Sequence, residues 1–580
     1  MKHSRRAPLA FPAVAAVVLT CAVAGLTLAA RSEHASAVAT TSKPTMLLDL
    51  RKRVRYVFVI YQENHSFDNY FGTYPGAENL STALAKAHGR RQYDPIGKRW
   101  IAPFRIADPD IAGPSQARAV VYRKFDHGKM DDFVAEQERV SLAKGYDAAD
   151  AQRIGELTMA HYDCDTIPYL WKYAHAFALF DHIFQGMTGP STPGNIEAIA
   201  GQAGQTQWAR NPGQAAAAND KGRGVPIVND LNPAYPPYAA DDRDAVNQIP
   251  QRYATIMLDL GGSADRLARS DTDGVRRDLQ AVAASGRKAI PWGWYQEGYV
   301  SPTSAREGFE AHHDAPQYFA YLRNNPVFWK NVHPVQAMLG ALAKGRLPDR
   351  GVFYIKGGSR NEFGWKPANR NPKVQAAYRG DDDHPGAGDS DHQVGEAFVA
   401  TFVNAIAHSR YWKDSAIVIT WDDAGGFYDH VPPPHFERCA DGKPCGDGQR
   451  LPFILISPYA RSGAVVHDRG DTASIVKFVE TVFHLPAMAE LPDERGSMPE
   501  GPRDANPAIT NLLGAFDPQR LSGAIAPIPA ITAEIPGAVV NAFPPKMSCA
   551  SLGIVPVTLA HDRSPSGFAP RPLDPRRTIH

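Results

Sequence analysis

The sequence predicts an α/β fold in which a mostly parallel central sheet is flanked by helices on both faces. Short apolar runs rich in β-branched or aromatic residues are typical of buried parallel strands, and helical patterns between such runs indicate alternating strands and helices. Apolar residues recur at helical spacing over 395–406 and 472–483. The runs that we predict as strands are 54–60, 352–355, 416–420 and 453–456.

The chain of 580 residues can bury a large core, although it exceeds the usual size of one compact domain. We predict a catalytic domain over 50–490, with an inserted cap or loop region at about 205–350. The start of that region is rich in Ala, Asn, Pro and Gly and has no sustained period. The proline-rich segment 523–580 is predicted to be a tail that wraps the domain.

Residues 1–37 have the pattern of a cleaved export signal. A basic start precedes an apolar stretch at 13–30, and small residues then offer a cleavage site. We therefore expect a secreted or periplasmic protein with no membrane span left after cleavage. An uncleaved membrane anchor is the alternative, and the pair Arg5-Arg6 leaves twin-arginine export open.

The charge and the cysteines restrict the partners and the compartment. Because 62 basic residues balance 61 acidic ones, the net charge of +1 predicts no nucleic-acid partner. Cys439 and Cys445 are close enough in sequence for a disulfide, which fits an oxidising compartment. Cys164 and Cys549 form either a second disulfide or two buried thiols, and the sequence leaves the oligomeric state open.

Two pairs of oxygen-donor side chains directly follow two of the predicted strands. Glu63-Asn64 follows the first strand, and Asp422-Asp423 follows the third. Ligands of open α/β sheets bind at the carboxyl ends of the strands, and carboxylate and amide oxygens suit a hard divalent cation. Any one of these acids is more often a solvated loop charge, so the prediction of a metal site depends on their joint position.

Ser191 is the candidate nucleophile. In the segment QGMTGPSTPGNIEAIAG, Thr192 and Pro193 suit the N-cap and first position of a helix, which would place Ser191 beside free backbone N–H groups. Such a position favours the anion that a transferred phosphoryl group presents. A serine hydroxyl needs a base or a metal to become nucleophilic, and the strand-end donors supply the metal. An ordinary capped helix start is the alternative.

Several histidines are candidates for contact with a phosphoryl group. His127 and His384 lie in loops rich in Gly and Asp, where a positioned imidazole can bind a phosphate oxygen or protonate a leaving group. His312 and His313 are weaker candidates, because their aromatic surroundings equally suit packing. We expect His430 to brace the loop after the metal pair.

Residues 63–76 read ENHSFDNYFGTYPG and resemble the long opening motif of the bacterial phosphoesterase family. That family includes phosphatidylcholine-type phospholipases C and secreted acid phosphatases of the A type. The resemblance extends over about 54–485. Other segments similar to the family are GPSTPGN, DHGKMDDF, TWDDAGGFYDHVPPP, LPFILISPYARSG and HDRGDTASIVKFVE.

The resemblance implies an alkaline-phosphatase-like fold, in which a Ser or Thr nucleophile coordinates the active-site metal. Carried onto this sequence, the implied metal ligands are Glu63, Asn64, Ser191, Asp422 and Asp423. Ser191, His127 and His384 are then the catalytic residues, and Asn64, His312 and His313 contact the substrate. Asp423 stands where many members have Glu, the additional Gly194 shifts Asn195, and His392 is a rival of His384.

These observations predict a secreted, metal-dependent phosphoric ester hydrolase that acts through a phosphoserine intermediate. About ninety residues follow the last similar segment, which favours the shorter acid-phosphatase-like architecture. A phospholipase C that releases a phosphorylated head group is the alternative, and a non-catalytic binding protein is the alternative of another class. One divalent ion is expected (Mg, Ca, Mn or Zn), with a small phosphorylated substrate or a phospholipid head group as partner.

Overall fold

An eight-stranded sheet organises the chain, and its strands come from 56 to 466. The computed structural model describes residues 43–87, 90–214, 223–261, 267–325, 330–434, 446–496 and 502–571. The export signal predicted at 1–37 and the predicted pair Cys439–Cys445 lie outside these residues. The strands of the sheet are β1 (Tyr56–Gln62), β2 (Ala178–Phe180), β3 (Trp292–Gln296), β4 (Val332–Pro334), β5 (Gly351–Lys356), β6 (Ser415–Trp421), β7 (Phe453–Ile456) and β8 (Ala464–Val466).

The strands lie in the order β4-β3-β5-β1-β6-β7-β2-β8. All neighbours pair in parallel except at β7, which is antiparallel to both β6 and β2. The predicted mostly parallel sheet is therefore confirmed, but the expectation that 453–456 forms a parallel strand is wrong. An apolar run shows that a strand is buried on both faces, and a buried antiparallel strand of a mixed sheet has the same pattern.

Helices cover both faces of the sheet, as predicted. Neighbouring side chains of a strand point to opposite faces: the Tyr61 hydroxyl donates to the Gly194 carbonyl of one helix, and the Gln62 amide donates to the Gly395 carbonyl of another. Among the described residues, the helices of eight or more residues are α1 (Lys43–Arg53), α2 (Arg118–Phe125), α3 (Phe133–Ala143), α4 (Ala148–Leu157), α5 (Pro168–Ala176), α6 (Ser191–Ala200), α7 (Arg276–Ala284), α8 (Gln336–Ala343), α9 (His392–Ala407) and α10 (Ser474–Phe483).

Shorter elements complete the described structure. The short α-helices are Phe67–Phe71, Ala83–Ala87, Gln205–Arg210, Ile256–Asp259, Ala320–Arg323, Pro372–Ala377, Pro518–Ser522, Gly537–Val540 and Cys549–Leu552. Two-stranded ladders join Gln92–Asp94 to Arg99–Ile101, Phe104–Arg105 to Ala160–His161, Ile183–Phe184 to Gly470–Asp471, and Tyr299–Ser301 to Ser304–Ala305.

The predicted insertion and tail both join the body of the domain. The region 205–350 supplies β3 and β4 at one edge of the sheet in addition to loops. A disulfide joins Cys549 of the tail to Cys164. Of the two alternatives that the sequence left open, a disulfide or two buried thiols, the structure thus has the disulfide. No helix in the described part of the chain is long and apolar enough to cross a membrane.

Candidate active site

Asn64, Ser191, Asp422 and Asp423 meet at the carboxyl ends of β1 and β6. The two strands pair in parallel, with Gln62 opposite Trp421, so the residues that follow each strand lie side by side. The Ser191 hydroxyl lies 3.0 Å from Asn64 Oδ1 and 3.0 Å from Asp423 Oδ2. All four residues are buried. The structure thus places the predicted nucleophile against two of its predicted metal ligands, Asn64 and Asp423.

The backbone at the start of α6 directs Ser191 toward these oxygens. The helix begins at Ser191, two residues before the start that Thr192 and Pro193 predicted, and Pro190 caps it without a side-chain hydrogen bond. Thr192 instead donates to Asp230 through both its backbone N–H and its hydroxyl, at 2.9 and 3.0 Å. The Ser191 hydroxyl is consequently free to face the strand ends.

The helix also lies very close to β6. A β-carbon at Gly194 would collide with the Asp422 carbonyl oxygen, so this position requires glycine. The neighbouring Asn195 donates its amide to Asp422 Oδ2 at 3.0 Å and to the Ser191 carbonyl at 3.0 Å. Asn195 therefore orients one of the predicted metal ligands.

Glu63 faces Lys356, which also contacts another predicted ligand. Lys356 Nζ lies 3.0 Å from Glu63 Oε1 and 3.0 Å from Asp422 Oδ2, so one ammonium bridges the two carboxylates. Burial disfavours this ammonium, but Asp422 and Glu63 outweigh burial and raise the pKa of Lys356. The sequence interpretation missed Lys356. Its position at the end of β5, the other neighbour of β1, was the available signal.

His313 and His312 lie beside Glu63 but have different partners. His313 Nδ1 is 2.9 Å from Glu63 Oε1 and 2.8 Å from Glu310 Oε2. Burial, followed by the charge of His312, lowers the pKa of His313 well below its usual value. His312 Nδ1 is 2.8 Å from Asp244 Oδ2. Burial opposes its charge, but Asp244 outweighs burial and raises the pKa of His312 to about 10.

His384 reaches Asn64 from the other side. When the Asn64 amide presents its oxygen to this ring, His384 Nε2 lies 2.6 Å from that oxygen. His384 Nδ1 is 3.1 Å from Asp389 Oδ2. Burial opposes the charge of the ring, but Asp389 raises the pKa of His384 to about 10. This imidazole is therefore a cation at neutral pH, and it lies beside Asn64, which contacts Ser191.

The other histidines lie outside these contacts. His127 is exposed on the short turn Asp126–Gly128 with a φ of 57°, and the described hydrogen bonds and ion pairs do not join it to Ser191. His392 is buried, with Nδ1 3.0 Å from Asp383 Oδ1. His430 pairs with Asp68 at 2.7 Å and Glu78 at 3.1 Å, which is the bracing position expected for it.

The donor set fits a divalent cation. Burial and the neighbouring Asp422 raise the pKa of Asp423 well above its usual value, and burial does the same for Glu63 although Lys356 opposes it. Among the described groups, Glu63 Oε2 has no hydrogen-bond partner. With its oxygen toward Ser191, Asn64 presents that oxygen to Asp423 Oδ2 at 2.8 Å and to Asp422 Oδ1 at 3.1 Å, an arrangement that a cation between them would stabilise. Oxygen donors of this kind suit Mg, Ca or Mn.

Comparison with known proteins gives a consistent family assignment. The model of the phosphoesterase family matches residues 54–486. The non-hemolytic phospholipase C of Burkholderia pseudomallei is 23% identical over 466 residues, which are 74% of this chain and 55% of the relative. The hemolytic phospholipase C of Pseudomonas aeruginosa is 22% identical over 463 residues, 74% of this chain and 53% of the relative. The chain thus spans about half the length of these curated relatives.

Among solved structures, a protein in the alkaline phosphatase superfamily from Vibrio parahaemolyticus matches with a TM-score of 0.27 and 11% identity. The match covers 55% of this chain and 60% of the other. A likeness this slight adds nothing to the assignment.

Proposed function

The chain belongs to the phosphoesterase family, and from that premise we propose that it is a metal-dependent hydrolase of phosphoric esters with Ser191 as its nucleophile. The observation that carries the proposal is the Ser191 hydroxyl, which lies 3.0 Å from both Asn64 Oδ1 and Asp423 Oδ2 at the start of α6. A hydroxyl held between a helix N-terminus and a set of carboxylates can attack phosphorus and meet the negative charge that develops.

In the proposed reaction, Ser191 Oγ attacks the phosphorus of the bound ester while its proton is donated toward Asp423 Oδ2. A divalent cation held by Asn64, Ser191, Asp422 and Asp423 would supply the charge that favours the alkoxide and offsets the phosphoryl oxygens. The His384 imidazolium protonates the leaving oxygen. Water then hydrolyses the phosphoserine and returns the Ser191 hydroxyl.

Supporting roles follow from the remaining contacts. Lys356 keeps Glu63 and Asp422 together by bridging them. His313, beside Glu63, and His312, beside His313, are proposed to contact the substrate. We keep His127 as a candidate contact for the phosphoryl group, because its segment DHGKMDDF resembles one of the family. The pattern of residues 1–37 supports secretion or export to the periplasm.

Two substrate classes remain candidates. The family that the sequence resembles includes secreted acid phosphatases, which act on phosphomonoesters, whereas the matched relatives are named phospholipases C. A panel of soluble phosphomonoesters, phosphodiesters and phosphatidylcholine vesicles separates the two classes. We expect turnover of at least one class with a divalent ion and loss of turnover with a chelator. A protein that contains its ion and hydrolyses none of these esters would instead be a binding protein.

The nucleophile is tested by Ser191→Ala. We expect turnover to fall by ~10⁴-fold or more while the fold and the content of divalent ion are kept, because the other ligands remain. The matched control is Ser462→Ala, which removes a hydroxyl that donates to the Ala176 carbonyl at the surface and should leave turnover unchanged. Substantial turnover by Ser191→Ala would remove the assignment.

A further inference from the structure

A second group of metal-ligating side chains lies at the carboxyl edge of the sheet, away from the Ser191 cluster. Asp181 and His182 directly follow β2, and His467 directly follows β8. The two strands pair in parallel with Phe180 opposite Val466, so Asp181 and His467 come at the same step of the ladder. In an open α/β sheet, this edge is where ligands bind.

Both imidazoles face one buried carboxylate. His182 Nδ1 lies 2.7 Å from Asp181 Oδ1, and His467 Nδ1 lies 3.0 Å from Oδ1 and 2.9 Å from Oδ2. The Asp181 side chain is fully buried, whereas 22% of the His182 side chain and 61% of the His467 side chain are exposed. Solvent and small ions can therefore reach the two imidazoles that contact the Asp181 carboxylate.

Two other clusters of the same residue types are already occupied by protein groups. Asp383, between His65 and His392 in the interior, accepts hydrogen bonds from Tyr70 and Trp421. The carboxylates of Asp68 and Asp429 hold the guanidinium of Arg450. Among the described contacts, no Lys or Arg side chain pairs with the Asp181 carboxylate, since Arg450 donates to the Asp181 backbone carbonyl. Both histidines of this group reach the surface.

We propose that Asp181, His182 and His467 form a binding site for a divalent transition-metal ion such as Zn²⁺, separate from the Ser191 cluster. Two imidazole nitrogens with one carboxylate oxygen are a donor set that Zn²⁺ prefers over Mg²⁺ or Ca²⁺, and water fills the remaining positions. Each imidazole gives Nδ1 to the ion and keeps its proton on Nε2. The hydrogen bonds that both rings now make to Asp181 are thereby replaced by bonds to the ion.

A bound ion would stabilise the edge of the sheet. β8 is the last strand of the sheet, and Asp181 Oδ2 also accepts the backbone N–H of Glu78 at 2.8 Å. Through Asp181, one bound ion would thus connect the ends of β2 and β8 to the segment that contains Glu78. An ion that binds only the folded protein raises its stability by mass action.

The test counts Zn²⁺ ions per molecule after chelator treatment, reloading with Zn²⁺ and gel filtration. We expect His467→Ala and His182→Ala each to bind one equivalent fewer than the unaltered protein, with the affinity at this site weakened by about 100-fold or more. Zn²⁺ should also raise the melting temperature of the unaltered protein more than that of either variant. His408→Ala is the matched control, because His408 is equally exposed and pairs with one carboxylate, that of Glu534.

Equal Zn²⁺ content in the unaltered protein and His467→Ala would overturn the proposal, and so would an equal loss in His408→Ala. Hydrolysis of phosphoesters should be unchanged in His467→Ala. The site and the proposed function therefore fail separately: a protein without hydrolase activity that still loses one Zn²⁺ in His467→Ala alone retains this site.

Discussion

Two buried groups of charges lie near the same edge of the sheet, and protein groups neutralise only one of them. Around Arg450, every charge has a protein partner: its guanidinium lies 2.9 Å from Asp68 and 2.9 Å from Asp429, and His430 lies 2.7 Å from Asp68. Burial alone would raise the pKa of Asp68, but His430 and Arg450 lower it. At Asp429, burial outweighs Arg450 and the pKa is raised. This group is complete without any ligand.

Around Ser191, the carboxylates exceed the protein cations. Lys356 bridges Glu63 and Asp422, but Asp423 accepts from neutral groups, the Ser191 hydroxyl and the Gly425 backbone N–H. The pKa of Asp423 is consequently raised by burial and by Asp422. Buried charges that the fold leaves uncompensated indicate a binding site, whereas compensated ones indicate a structural brace.

The largest expected effect comes from the change Asp423→Asn. We expect turnover to fall by ~10³-fold or more, because the variant loses an anionic ligand and the acceptor of the Ser191 hydroxyl. In chelator, the free energy of unfolding should rise by ~1–2 kcal/mol, because one of the crowded carboxylates is gone. Denaturant titrations and steady-state rates measure both quantities.

The matched substitution in the Arg450 group should change the free energy of unfolding in the opposite direction. Asp429→Asn should lower the free energy of unfolding by ~3–5 kcal/mol, because Arg450 loses a buried partner. If both substitutions destabilised the chelator-treated protein equally, the contrast between the two groups would be refuted.

Removal of the Arg450 guanidinium should also destabilise the fold strongly. Arg450→Met leaves Asp68 and Asp429 buried without their guanidinium, and we expect a loss of ~3–5 kcal/mol in the free energy of unfolding. Arg461→Met is the control, since Arg461 is exposed and makes a long contact of 3.5 Å to the Gly514 carbonyl. A change of equal size in both variants would show that Arg450 has no special role.

The smallest expected effect is a pH dependence of stability. Burial opposes the charge of His430, but Asp68 and Glu78 raise its pKa to about 9, above the usual value of 6.5. The folded state therefore holds more protons than the unfolded state between these values, so stability is full below pH 6.5 and declines as the pH rises through about 9. We expect the decline to reach ~1–3 kcal/mol.

The comparison for this effect is His430→Gln, which cannot titrate. Unfolding free energies measured from pH 6 to pH 10 should decline less in this variant than in the unaltered protein. Parallel curves would show that the ion pairs of His430 do not contribute to stability in this range.

Much of the site could be predicted because it lies where apolar runs end. Glu63-Asn64 and Asp422-Asp423 directly follow β1 and β6, so a correct prediction of two neighbouring parallel strands was sufficient to bring them together. Lys356 ends a strand as well. A single lysine after an apolar run is usually solvated, and only the pairing of β5 with β1 shows that this ammonium is buried between carboxylates.

Loop residues were harder to place for a physical reason. His127 and His384 have similar sequence surroundings, yet His127 is exposed on a turn and His384 is held by Asp389 beside Asn64. Loop conformation depends on long-range contacts that no local pattern records. The direction of β7 was not predictable for the same reason, since an apolar run looks alike in either direction.

Detection of the covalent intermediate tests the central claim most directly. The protein is mixed with a substrate that it turns over, quenched in acid during turnover, digested and analysed by mass spectrometry. We expect a phosphoryl group on Ser191, and we expect none on the peptide that contains Ser191 when Asp423→Asn is treated in the same way. Rapid turnover with Ser191 unmodified, or with the phosphoryl group on another residue, would contradict it.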